Sequence, residues 1–91
     1  METVLEIVFT FAHTRDAILA ERALLARNIP VNVMPLPTTI SAGCGLALRL
    51  ASDDFSQSYA ALGQAGIAPE GAYRREASPG NITYTPLPFP V

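Results

Sequence analysis

The chain reads as an α+β domain of βαββαβ order, a ferredoxin-like sandwich in which a four-stranded antiparallel sheet carries two helices on one face. Three observations lead there. An apolar run near the start alternates with period two, as a half-buried strand does. Two stretches of helix-forming residues follow at separate places. Short alternating runs lie between and after them. Right-handed crossovers in that order put both helices on one side and arrange the strands fourth, first, third, second.

Each element has its own signal. Leu5, Ile7, Phe9 and Phe11 alternate with Val4, Glu6, Val8 and Thr10 to give the first strand. Thr14 offers an N-cap, and Asp16 sits in the first turn, where a carboxylate suits the helix dipole. Residues Arg15 to Arg27 are rich in Ala, Leu, Glu and Arg, all good helix formers. Asn28 tolerates a left-handed C′ position, and Pro30 ends the helix. Val31 and Val33 alternate with Asn32 and Met34 in a second strand that Pro35 and Pro37 close. Leu46, Leu48 and Leu50 mark the third strand. Ser52-Asp53-Asp54 forms an N-cap cluster, behind which Phe55, Tyr59 and Leu62 share a face of the second helix. Gly66-Ile67 reads as its C-cap, and Ala72 to Glu76 as the fourth strand.

Length and charge bound the rest. Ninety-one residues make one domain, expected over 1–76, with a proline-rich tail over 77–91 carrying Pro79, Pro86, Pro88 and Pro90. The tail is expected to be a polyproline-type extension with room for one short strand at Ile82 to Thr85. Six arginines, no lysine and eight carboxylates leave a net charge of −2, so no basic stripe offers itself to nucleic acid. No run approaches the roughly 18 apolar residues of a membrane span. The first residues lack a basic, then apolar, leader, and a single cysteine forms no internal disulfide, so a cytoplasmic location is expected. The small core and the sheet edges leave a homodimer possible.

The topology gathers chemistry at one rim. If the first strand runs upward, His13, Thr14 and Arg15 share its end with the loop Ser41-Ala42-Gly43-Cys44-Gly45. Gly43 and Gly45 leave the backbone around Cys44 open, so amide groups approach whatever the sulfur carries. Thiols react as thiolates, which helix N-termini and nearby cations favour. Two readings of Cys44 stay open: a small inert core side chain, or a reactive thiol with His13 and Arg15 as supporting groups. His13 is equally a solvated residue ahead of a helix. Glu21, expected in the middle of the first helix's apolar face among Ala17, Ile18, Leu24 and Leu25, is a satisfied buried carboxylate or a relay. Arg49 is a solvated charge or a partner contact. One Cys and one His make no metal site, and no cofactor is expected.

From Met34-Pro35-Leu36-Pro37 through Ile40-Ser41-Ala42-Gly43-Cys44-Gly45-Leu46-Ala47-Leu48-Arg49, the sequence resembles the selenium/sulfur carrier protein-like family of small bacterial and archaeal domains. Ala17 and the Ala20-Glu21 pair match that family's helix, and the resemblance covers residues 5 to 75. It implies that Cys44 holds a sulfur or selenium atom as a persulfide or selenopersulfide, taken from a donor protein and passed to an acceptor enzyme. The protein would then be a carrier and not an enzyme. Thr38 and Thr39 stand where the family has a basic-acidic pair, which removes charge from near the thiol. The alternative function is a ligand-binding or regulatory interaction module that dimerises through its sheet, with Val8, Ala47, Tyr73 and Val33 lining the open face.

Overall fold

β1 (Val4–Thr10) lies at the centre of the sheet, hydrogen-bonded on both sides and covered on both faces. The computed structural model describes residues 3–90. After β1 come α1 (Thr14–Leu25), β2 (Asn32–Pro35), β3 (Leu46–Ala51), a 3₁₀ turn at Ser52–Asp54, α2 (Phe55–Gln64), β4 (Gly71–Ser78) and β5 (Asn81–Leu87). The strands form one antiparallel sheet of order β2-β3-β1-β4-β5.

The expected four-stranded ferredoxin-like sheet is therefore corrected to an α+β fold with five strands. The boundary expected after residue 76 falls inside β4, which continues to Ser78. Pro79-Gly80 turns the chain with Gly80 at φ 77°, a proline-then-glycine pair suited to a type II turn. The tail then pairs with β4 from Ser78↔Asn81 to Ala72↔Leu87. Its prolines do not prevent this. Pro79 lies in the turn, Pro86 lies on an edge strand where an outward N–H has no partner to lose, and Pro88 and Pro90 follow the strand. Phe89 then stacks on Tyr59 of α2, with ring centroids 4.9 Å apart and planes within 11°.

One face of the sheet meets both helices. Ile7, Phe9, Leu48, Leu50 and Ala72 pack with Ala17, Ala20 and Leu24 of α1 and with Ala61 and Leu62 of α2. Asn28 takes φ 60° after α1, and Ile29 N–H donates to Leu24 O, closing the helix as its sequence predicts. Gly66 at φ 74° and Ile67 N–H to Leu62 O do the same for α2. The start of α1 differs by one residue. His13 occupies the N-cap position without a side-chain cap bond, and Thr14 is already helical.

The other face is paved by its own long side chains. Val8 and Ala47 are fully buried there and Thr10 nearly so. Gly71 packs closely there, since a Cβ at that position would lie 3.1 Å from Thr10 Oγ1. Glu6 sits between two arginines: Arg75 Nη1 donates to Oε1 at 2.8 Å, and Arg49 Nε lies 3.4 Å from Oε2. Arg75 Nε also donates to the Tyr84 hydroxyl at 3.3 Å, tying β5 into the cluster. No helix among the described residues is long and apolar enough to cross a membrane.

Two outcomes are expected from this packing. A chain ending at Ser78 bares the β4 edge and the Tyr59 ring, and should melt at least about 5 °C lower than the full chain in a thermal scan. Glu6→Gln leaves two neighbouring arginines without their carboxylate and should cost about 1–3 kcal/mol in urea unfolding.

Candidate functional site

Cys44 stands at the entry to β3, at the end of a loop that the chain fastens at several points. Leu36 N–H donates to Gly45 O at 2.9 Å, Ile40 N–H to Pro37 O at 3.0 Å, and the Ile40 side chain is buried. Cys44 N–H donates to Phe11 O at 3.1 Å, which draws the loop against the corner between β1 and α1.

Gly43 is what permits that approach. A Cβ there would strike Ala12 O, far inside contact distance, so no other residue fits without moving backbone. Gly45 has open space around it and faces no such restriction. Gly43 N–H is directed outward and donates to Glu70 Oε1 at 3.3 Å. Glu70 is itself held by its own N–H, which donates to Thr10 O at 2.7 Å. Four segments thus meet around the cysteine: the end of β1, the start of α1, the loop, and the residue that precedes β4.

The sulfur is not at an open corner, as the sequence reading expects: Cys44 is buried, 2 % exposed. The bond from Cys44 N–H to Phe11 O holds the main chain against the β1–α1 corner, and the side chain joins the core cluster. Two polar groups meet it there. Leu46 N–H donates to Sγ at 3.2 Å, and the Sγ–H group donates to Thr14 Oγ1 at 3.4 Å. Thr14 is the first residue of α1, so the sulfur lies beside the positive end of a helix dipole.

The supporting residues divide. Gly43 shapes the site. His13 and Arg15 share the rim, yet their side chains are exposed and take no hydrogen bond or ion pair among the described residues. Ser41 is likewise exposed. Glu21 is half-buried and not central to the apolar face, because the buried stripe runs through Ala17, Ala20 and Leu24 and leaves Ile18 and Leu25 exposed. Arg49 faces the other side of the sheet and pairs with Glu6. The open-face lining of the alternative reading also separates. Val8 and Ala47 are covered, and Val33, opposite Leu48, belongs to the helix face.

Two contributors escape the sequence reading. Thr14 reads as a cap, but its hydroxyl meets the sulfur. Glu70 carries no motif, yet its place was derivable: β4 runs antiparallel to β1, so the residue before β4 must lie at the end of β1. Among the described residues, no three His, Cys, Asp or Glu side chains gather as a metal site would require.

The protein is a sheet-and-helix domain whose one cysteine is set beside a helix N-terminus. A family model described as "Putative Se/S carrier protein-like" matches residues 6–74, from β1 into β4, and the chain belongs to that family. No curated protein and no solved structure matches it.

Gly43→Ala should destabilise the protein by about 1–3 kcal/mol in urea unfolding, because the new methyl group strikes the Ala12 carbonyl. The same change at Gly45, where nothing crowds the added carbon, should cost less than about 0.5 kcal/mol.

Proposed function

We propose that the protein is a sulfur or selenium carrier that holds its cargo on Cys44 as a persulfide or selenopersulfide. Family membership supports the reading, and the observation that carries it is the pair of polar groups converging on Sγ. A carrier sulfur must bear negative charge both when it attacks the donor and when it departs as the leaving group while the acceptor takes the cargo. An amide N–H and a hydroxyl beside a helix N-terminus are suited to that charge.

The transfer step balances without an external oxidant. The Cys44 thiolate attacks the outer sulfur of a donor persulfide, and a new S–S bond forms on Cys44. The donor's S–S bond breaks, its electron pair leaves on the donor's own sulfur, and that sulfur takes up the proton Cys44 released. Discharge to an acceptor reverses these roles. A second cysteine would resolve the persulfide as a disulfide, and this chain has none. The protein acts stoichiometrically, with a donor protein and an acceptor enzyme as partners. Because the sulfur is shielded, loading requires the loop before β3 to move away from the Ala12 corner.

Incubation with a cysteine desulfurase and free cysteine should add one sulfur atom to the intact mass of the wild type and none to Cys44→Ser. The reading is lost if the wild type stays unmodified while a known carrier in the same tube is loaded.

A further inference from the structure

We propose that Glu70 is an electrostatic latch on the cysteine loop: its carboxylate occupies the Gly43 amide and closes the neighbouring sulfur to anionic reagents, and a partner that brings a cationic side chain to this rim releases it. The consequence for sulfur transfer rests on the carrier reading; the latch itself concerns only the reactivity of the thiol.

The bonds around Cys44 differ in accessibility. Those made by Sγ to Thr14 and by Leu46 to Sγ are part-buried, and Cys44 N–H is bonded to backbone. The bond from Gly43 N–H to Glu70 is the exposed one, made by an exposed side chain twenty-seven positions away. A visiting charge reaches this bond first. Glu70 also has no ion-pair partner among the described residues, although Glu6 and Glu76 both have arginines. The six arginines leave it without an internal cation.

The position of that charge has two effects. A negative charge one residue from the sulfur opposes the approach of another, and a donor persulfide is itself an anion near neutral pH. The same carboxylate holds an exposed amide next to Cys44. When a cation pairs with Glu70, the repulsion falls and Gly43 N–H is freed to bond the arriving anionic sulfur, adding to the donor already present at Leu46. The partner that fits is therefore a protein presenting arginine or lysine beside its reactive sulfur. Glu70 is a positioning residue, since it acts through the loop and not on the cargo.

The test measures the rate at which Cys44 in the full chain reacts with three methanethiosulfonates. Their transferred groups are sulfonatoethyl (anionic), methyl (neutral) and trimethylammonioethyl (cationic). In each case the thiolate attacks the sulfenyl sulfur and methanesulfinate leaves. In the wild type the cationic reagent should react fastest and the anionic one slowest, and added salt should flatten the series. Glu70→Gln keeps a hydrogen-bond acceptor but loses the charge, and should lower the cationic-to-anionic rate ratio at least about threefold. Glu70→Ala also loses the tether, and should in addition speed the neutral reagent about threefold or more. The latch is overturned if both variants keep the wild-type ratio, as when all three reagents accelerate alike, or if Cys44 of the wild type and of both variants reacts with none of the three. Sulfur loading of the wild type, measured separately, distinguishes the two ideas: charge selectivity without loading removes the carrier and leaves the latch.

Discussion

The sulfur of Cys44 lies where it does because Gly43 has no side chain. A backbone carbonyl, Ala12 O, fills the space a Cβ would need, and the next amide, that of Cys44, bonds to Phe11 O. This contact joins the loop before β3 to the corner where β1 becomes α1. From it follow the burial of the thiol, its placement against Thr14, and the outward aim of Gly43 N–H toward Glu70. Loosening that approach would release every other feature of the site.

The sheet separates two kinds of stability. On the helix face, apolar side chains from β1, β3 and β4 meet the helices in a dry core. On the other face, the same strands carry Glu6, Arg49, Arg75, Tyr73 and Tyr84, which cover Val8, Ala47 and Thr10 with arginine stems and aromatic rings. Such side chains shield a sheet from water while keeping their polar ends solvated. A face that its own residues already pave offers little bare apolar surface, and the separation of Val33 from Val8 and Ala47 divides the surface that a sheet-face ligand would need. The polar groups that converge on the cysteine lie at the rim, around Cys44.

β5, and Phe89 after it, lie beyond the stretch matched by the family model, which ends at residue 74. Their energetic role is plain. β5 covers the β4 edge, Tyr84 joins the Glu6 cluster through Arg75, and Phe89 covers Tyr59. The tail is a structural part of this molecule.

The periodicities of Leu5 to Phe11 and Leu46 to Leu50, the left-handed Asn28 and the capping Gly66 were legible in the sequence, because each is a local preference of a residue for its backbone. So was the meeting of the cysteine loop with the start of α1, since strand direction alone requires it. The fifth strand was legible only as a short run at Ile82 to Thr85 inside a proline-rich extension; its full span and its pairing with β4 were not, because proline content argues against a strand until the partner edge shows each proline in a tolerated position. The direction in which Cys44 points was hidden for the same reason. A hairpin corner of glycines permits an outward or an inward sulfur. The choice was made by hydrogen bonds to Phe11 and Thr14, residues some thirty positions away that tertiary folding alone brings within reach.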